Sequence, residues 1–203
     1  FATATEDGSI VEWHIDTGTG TNLDMDRLYP SIHTGHINCI DHSHDGVHLL
    51  SGSDDGVVII WDRANQSEVA RWESTDPIMD CTFSPDGATM AWIGGGALYL
   101  RNHDETFSYS GQFDISEFAS QVDFYDSNDR LAVLINAITD VPRHIQFINA
   151  STLPIQVEAT LYLPHQALGF NIHPTLNQVA IATNSEFVPV YADQILQNTE
   201  IPT

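Results

Sequence analysis

The sequence predicts an all-β fold built from repeated units of about four short strands. Three apolar runs lie between Gly35 and Asp62, at 37–40, 47–50 and 57–61, and they are separated by His-Asp-Gly and Asp-Asp-Gly. Runs of about four to eight residues divided by Asp-Gly are typical of antiparallel strands joined by tight turns. Gly46 and Gly56 supply the positive φ that such turns require.

The same layout recurs along the chain. Pro-Asp-Gly at 85–87 repeats His-Asp-Gly at 44–46 with an offset of 41 residues (44 to 85), and the apolar run at 57–60 falls on 98–100 at the same offset. A period of about 40–45 residues with four strands per unit is the sequence signature of a β-propeller. A four-stranded sheet has two apolar faces, so it must stack against neighbouring sheets around an axis.

The spacing predicts about four and a half propeller blades. We expect half a blade at 1–16, followed by a strand-like segment at 22–29 that forms the outer edge of the next blade. The full set of predicted units is the half blade at 1–16, blades at about 22–62, 67–102, 106–149 and 154–192, and a polar tail or linker at 193–203. These units are expected to belong to a seven-bladed or larger, tandem propeller.

Acidic residues dominate the composition. The chain has 28 aspartates and glutamates against six arginines and no lysine, and its net charge is −22. Binding to nucleic acid depends on clustered Lys and Arg that neutralise phosphates. We therefore predict no direct binding to nucleic acid or membrane, and a preference for partner proteins with basic surfaces. An acidic surface kept only for solubility or salt tolerance is the alternative.

Two cysteines, Cys39 and Cys81, lie near corresponding points of successive repeats, each in an apolar run. A bridge between them stays open as an alternative. Two buried free thiols are the expectation, and they predict an intracellular, reducing compartment.

The repeat at 35–62 resembles the WD40 family: Gly35-His36 opens it, the small residues at 51–53 end a strand, and Trp61-Asp62 closes it. The resemblance implies a structural hydrogen-bond set, for which a buried indole N–H needs an acceptor and a hydroxyl can pass the bond on to an imidazole and a carboxylate. Its implied members are His36, Ser51, Asp55 and Trp61, with Thr3, Asp7 and Trp13 as counterparts in the half blade. The set resembles a hydrolase triad in composition only, because these positions face blade interiors and not a cleft. The third blade has lost it.

Histidines at 33, 36, 42, 44 and 48 suggest a zinc site, but their spacing fits no standard ligand pattern. His42 and His44 share a face at a turn and are the weak candidates for a surface metal site. No cofactor site is predicted, since Gly94–Gly96 lacks the lysine and helix of a phosphate-binding loop.

The predicted function is that of a non-catalytic scaffold for protein–protein interaction, within a larger assembly. Partner contacts are expected at the loops 17–34 and 139–143 and in the irregular third blade, because recognition concentrates in loops on a rigid scaffold. The order of FATATEDGSIVEW, LLSGSDDGVVIIW, SPDG, LAVLINA and RHIQFINA also resembles the WD40 subunits of the UtpA assembly of the small-subunit processome. That resemblance implies ribosomal RNA processing in ribosome biogenesis and a nucleolar or nuclear location; without it a cytoplasmic location is expected. The alternative is a ligand- or metal-binding propeller or propeller enzyme of bacterial or extracellular origin.

Overall fold

The structure is a computed structural model. It describes residues 1–5, 7–15, 23–115, 118–125, 129–136, 143–151, 154–163, 167–173, 178–183 and 187–191. These residues form strands and turns with no helix, which confirms the all-β prediction. Within these ranges no helical segment long and apolar enough to cross a bilayer is found.

The strands form five antiparallel sheets that follow one another along the chain. The first sheet is β1 (Ala2–Ala4), β2 (Ile10–Ile15) and β3 (Leu23–Tyr29). The second is β4 (Ile37–His42), β5 (His48–Ser53), β6 (Val57–Asp62) and β7 (Ser67–Glu73). The third is β8 (Ile78–Phe83), β9 (Thr89–Gly94), β10 (Ala97–Asn102) and β11 (Tyr109–Asp114). The fourth is β12 (Phe118–Phe124), β13 (Arg130–Asn136), β14 (His144–Asn149) and β15 (Gln156–Tyr162). The fifth is β16 (Ala167–His173), β17 (Gln178–Thr183) and β18 (Phe187–Tyr191). In every sheet, strands that are neighbours in sequence are hydrogen-bonded neighbours.

The sheets differ from the predicted blade boundaries. β3 pairs with β2, and β7 pairs with β6, so each outer strand belongs to the sheet that precedes it in the chain. The predicted unit 22–62 instead joins an outer strand to the sheet that follows. Connection length does not distinguish the two arrangements, because residues 63–66 join β6 to β7 within one sheet and the equally short 74–77 lead from β7 to β8 of the next. The predicted tail at 193–203 lies outside the described residues.

Three turns repeat the same geometry. The N–H groups of Gly46, Gly56 and Gly87 each donate to the carbonyl three residues earlier, and φ is +70°, +78° and +72°. The positive φ predicted for Gly46 and Gly56 is therefore present. A Cβ on Gly56 would also lie 2.3 Å from the carbonyl oxygen of Ser74, so this turn packs against its outer strand.

The second, third and fourth sheets bury apolar side chains on both faces, as the stacking prediction requires. In the second sheet Leu49 and Ile59 pack toward the first sheet, while Leu50 and Ile60 pack with Ile78 of the third. Residues adjacent along a strand point to opposite faces, so each strand supplies both contacts. Similar clusters join the third sheet to the fourth and the fourth to the fifth.

The first strands of sheets two to five lie beside one another, and side chains at equivalent positions link them. Cys39, Asp80 and Gln121 each follow the bulge of their strand. Asp80 Oδ2 accepts from Val122 N–H at 2.9 Å. Gln121 makes two bonds to the backbone of Phe170, at 2.6 and 2.8 Å.

At the first of these three positions, Cys39 is joined to Cys81 by a disulfide. The prediction of two free thiols is therefore wrong. The two strands run side by side with these residues facing each other, and their Cα atoms are 5.7 Å apart, within the range of about 4.4–6.8 Å that a disulfide spans. The bond covalently links the second sheet to the third.

Candidate functional site

Trp61, Ser51 and Asp55 of the second sheet are joined in one hydrogen-bonded set. The indole Nε1–H of Trp61 donates to Ser51 Oγ at 2.9 Å, and the same oxygen lies 2.8 Å from His33 Nε2. His33 Nδ1 lies 3.1 Å from Asp55 Oδ2, which also accepts from Thr34 N–H at 2.8 Å. The set connects the end of β6 to the segment that leads into β4.

The imidazole in this set belongs to His33, which corrects the prediction of His36. His36 is exposed, and its carbonyl accepts from Asp54 N–H. Because Asp55 binds the backbone of Thr34, the chain before β4 folds over the turn and brings His33 inside. Both histidines precede β4, so sequence spacing alone did not distinguish them.

Burial and hydrogen bonds act in opposite directions on the pKa values in this set. Burial lowers the pKa of His33, although the Asp55 carboxylate opposes the shift. Burial would raise the pKa of Asp55, but donors from Thr34, Val57 and His33 outweigh it and lower that pKa. Since Ser51 is fully buried and already hydrogen-bonded on two sides, the arrangement holds the sheet end together and offers no accessible nucleophile.

The first sheet has a smaller version of the set. Trp13 Nε1–H donates to Thr3 Oγ1 at 2.8 Å. Asp7 does not reach this pair; it accepts from Ser9 and Thr5 in its own turn, and these bonds lower its pKa to about 2. Of the three predicted counterparts, Trp13 and Thr3 therefore form a hydrogen-bonded pair, whereas Asp7 stabilises its own turn separately.

The third sheet lacks the set and replaces it with aromatic packing. Trp92 pairs with Tyr99 where Ser51 pairs with Ile59, and its ring lies between those of Trp72 and Tyr99, with centroids 5.4 and 5.7 Å away. Arg101 stands at the register position of Trp61, and its guanidinium lies 4.8 Å from the Trp72 ring centroid. Sequence analysis missed this arginine.

The weak metal candidates are not brought together. His42 Nε2 lies 2.7 Å from Glu12 Oε1, whereas His44 is exposed beside the turn of Gly87. Over the described ranges, no group of three or more His, Cys, Asp or Glu side chains has the geometry to hold a metal ion.

Glu12 forms a buried ionic centre between the first two sheets that sequence analysis missed. Its Oε1 accepts from Arg63 Nε at 2.8 Å and contacts His42, while Oε2 accepts from Tyr29 OH at 3.0 Å. Arg27 Nη1 lies 3.4 Å from Oε2. The cluster links the two sheets and surrounds the buried carboxylate of Glu12 with hydrogen-bond donors.

Aspartates on three successive first strands carry raised pKa values. Burial raises the pKa of Asp80 and of Asp123 to about 6, and neighbouring carboxylates add to the shift. Burial also raises the pKa of Asp41, whose Oδ2 accepts from Phe83 N–H at 2.7 Å. Asp41 and Asp80 thus each accept from the backbone of the first strand in the next sheet.

A cavity of about 430 Å³ opens where the third sheet meets the fourth. Its apolar wall includes Met79, Ala97 and Phe118, and its polar rim includes Asp76 and Asp114. Gly94–Gly96 form the adjoining turn, at the position where the second sheet has the turn of Asp55.

Radially stacked antiparallel sheets with linked first strands define a β-propeller. A family model described as "WD domain, G-beta repeat" matches residues 29–62. Guanine nucleotide-binding protein subunit beta-2 of Caenorhabditis elegans is 40% identical over 63 residues, which cover 30% of this chain and 17% of that protein. Residues 29–62 therefore match a WD40 repeat, and the sheets have the arrangement of a WD40-like β-propeller, as the sequence predicts.

Solved structures show the same fold over most of the chain. A chain in the crystal structure of the Mitotic Checkpoint Complex superposes with a TM-score of 0.77 and 15% identity, covering 94% of this chain and 58% of that one. The Cps50 (Swd1) β-propeller domain of Myceliophteria thermophila superposes with a TM-score of 0.72 and 14% identity, and the match covers 90% of this chain and 62% of that one. The chain spans about a sixth of the length of the curated relatives it matches.

Proposed function

We propose that this chain is a non-catalytic scaffold that holds other proteins in a larger assembly. The observation that carries the proposal is the state of the Ser51–His33–Asp55 set, which has the composition of catalytic machinery but is closed inside a sheet. The open features of the fold are turns and the cavity between the third and fourth sheets. A rigid scaffold with open connections is suited to binding.

The charge distribution supports partners with basic surfaces. Of the six arginines, Arg27 and Arg63 contact Glu12, Arg71 contacts Glu68 and Arg130 contacts Glu158. Arginines that are paired in this way contribute little attraction for phosphate, and the net charge of −22 repels polyanions. We therefore propose that this segment binds neither nucleic acid nor membrane directly.

The names of similar proteins also favour an assembly. One relative is named as a subunit, and one superposed chain comes from a complex. We further propose that the five sheets belong to a larger ring of about seven blades, since the chain covers about 60% of the two superposed chains.

The finer proposal places the assembly in ribosome small-subunit biogenesis and ribosomal RNA processing. It rests on the order of sequence features alone, and none of the relatives reported above carries a name from that pathway. A nucleolar or nuclear location follows if this proposal holds, and a cytoplasmic location otherwise. The disulfide removes the thiol argument for a reducing compartment.

A second candidate function is that of a ligand- or metal-binding propeller, or a propeller enzyme, of bacterial or extracellular origin. The disulfide between Cys39 and Cys81 favours it, because such bonds persist in oxidising compartments. The cavity of about 430 Å³ also falls within the range of about 300–1,000 Å³ of small-molecule pockets.

Native purification from the source cells separates these functions. The chain is isolated in about 0.15 M salt with alkylation of free thiols, and its mass is measured by light scattering before and after a step to about 1 M salt. The scaffold proposal expects a stoichiometric protein complex that high salt weakens. A monomeric chain that retains a bound small molecule or metal would contradict it and support the second candidate.

A further inference from the structure

The cavity between the third and fourth sheets has a local structural cause. In the second sheet, Asp55 of the β5–β6 turn reaches back to His33 and Thr34 and closes that end of the sheet. In the third sheet the turn is Gly94-Gly95-Gly96, which has no side chain that could do the same. φ is +59° at Gly95 and +73° at Gly96, so glycine is also favoured by the backbone there.

The missing side chains let Asp76 approach the turn. A Cβ on Gly95 would lie 2.8 Å from Asp76 Oδ2, so any larger residue would push the carboxylate away. Thr75 Oγ1 donates to Oδ2 at 3.1 Å, which leaves acceptor capacity on both carboxylate oxygens. Asp114, at the end of β11, provides a second exposed carboxylate at the rim.

The wall beneath this acidic rim is apolar. Met79, Ala97 and Ala119 line it, and Phe118 is 44% exposed at its edge. An aliphatic chain that ends in a cation matches both parts, since Lys and Arg bury their methylene stems along apolar surface while the charged head stays in a polar environment. The overall charge of −22 favours the same ligand.

We propose that this cavity receives a lysine or arginine side chain from an extended segment of a partner protein. The aliphatic stem packs against Met79, Ala97 and Phe118, and the cation pairs with Asp76 and Asp114. The inference rests on the proposed scaffold function and assigns a place and a chemistry to one of its contacts. The loss of the hydrogen-bonded set in the third sheet thus creates a recognition site.

The test uses the full chain and four nine-residue peptides that differ only at the central residue of a Gly-Ser background. The central residues are lysine, arginine, norleucine and glutamate, and binding is followed by NMR shifts of the chain. We expect the lysine and arginine peptides to shift Asp76, Met79, Gly95 and Phe118, and to bind at least about fivefold more tightly than norleucine. Glutamate should not bind.

Matched variants separate the site from general electrostatics. Asp76→Asn with Asp114→Asn should weaken lysine-peptide binding at least about fivefold. Asp24→Asn with Glu105→Gln removes the same charge from exposed positions in the first sheet and in the β10–β11 turn, and should change binding less than twofold. Phe118→Ala should weaken the binding of the lysine peptide and of the norleucine peptide by the same factor.

Three results would overturn the inference: equal binding of norleucine and lysine, equal weakening by both pairs of charge variants, or shifts that lie away from the cavity. Unaltered thermal unfolding of the exposed variants excludes misfolding as their cause. None of these results affects the salt-sensitive complex expected from native purification, so failure here leaves the scaffold proposal to its own test.

Discussion

Glu12 in the first sheet and Arg63 in the second are joined across the contact between sheets by a 2.8 Å bond from Nε to Oε1. Glu12 is only 3% exposed. Burial would raise the pKa of its carboxyl group, but bonds from His42, Arg63 and Tyr29 outweigh burial and lower it. The carboxylate is therefore ionised and holds groups from both sheets.

Glu12→Gln is expected to destabilise the fold by about 2–4 kcal/mol, because Arg63 and the buried Tyr29 lose the carboxylate that accepts their hydrogen bonds. Glu68→Gln breaks a pair with Arg71 at the surface and should cost less than about 1 kcal/mol. Both variants remove one negative charge, and urea unfolding measures the free energies. Equal losses would show that the buried position of Glu12 adds nothing.

His33→Gln should destabilise the chain by about 1–3 kcal/mol, since Ser51 and Asp55 lose the group that links them inside the sheet. His36→Gln, at an exposed position three residues later, should stay within about 0.5 kcal/mol of the wild type. Thermal unfolding of the two variants compares them directly. A larger loss of stability in the His36 variant would support the prediction, made from the Gly-His pattern, that His36 belongs to the hydrogen-bonded set.

Reduction of the disulfide should weaken the contact between the second and third sheets. A cross-link that spans 42 residues constrains the unfolded chain, and its loss is expected to cost about 3–4 kcal/mol. The wild type should therefore unfold at lower urea concentration when a reductant is added. The double variant Cys39→Ala, Cys81→Ala should unfold at the same urea concentration with and without reductant. A wild-type midpoint that ignores reductant would show that the bond does not stabilise the fold.

Asp123→Asn should make the chain more stable at pH 8 than the wild type, by about 1–2 kcal/mol, and the difference should shrink as the pH falls and vanish at pH ~3, below the ordinary aspartate pKa of the unfolded chain. The pKa of Asp123 is raised to about 6 in the folded chain, mainly by burial. The folded state therefore takes up the proton before the unfolded state does. The stability that protonation gives is present at low pH and is lost as pH rises through about 6.

The matched control is Asp24→Asn, which removes one exposed charge in β3. As an exposed surface substitution it should stay within about 0.5 kcal/mol of the wild type at each pH that is compared. A flat profile for Asp123→Asn as well would mean that ionisation of Asp123 does not strain the folded chain.

Local patterns in the sequence were enough to predict the strands and turns. Asp-Gly at 45–46 and 55–56 determines the turns because the glycine conformation is a local property, and the short apolar runs between turns determine the strands. The hydrogen bond between Trp61 and Ser51 could also be predicted from the sequence, because the two residues lie in adjacent strands of one repeat. The buried position of Glu12 could not be predicted, since its partner Arg63 is 51 residues away and an acidic residue in a strand is normally exposed.

The remaining errors have the same physical origin. His33 and His36 differ in the path of the chain over the turn, which depends on a bond from Thr34 to Asp55. The disulfide depends on two first strands lying side by side with matched registers. The irregular third blade was predicted as a contact region, but the cavity itself depends on how Asp76, Met79 and Phe118 lie around the Gly94–Gly96 turn, which is a long-range arrangement.

Zero-length carbodiimide coupling of the natively purified complex tests the central claim most directly. The reagent joins carboxylates to lysine amines, and this chain has 28 acidic residues and no lysine, so every lysine that couples to it lies outside these 203 residues and mass spectrometry identifies the polypeptide that carries it. We expect Asp76 and Asp114 to couple to lysines of one partner, and coupling to fall with Asp76→Asn and Asp114→Asn. Couplings spread evenly over the acidic surface, or no coupled protein at all, would contradict the account of this chain as a docking platform.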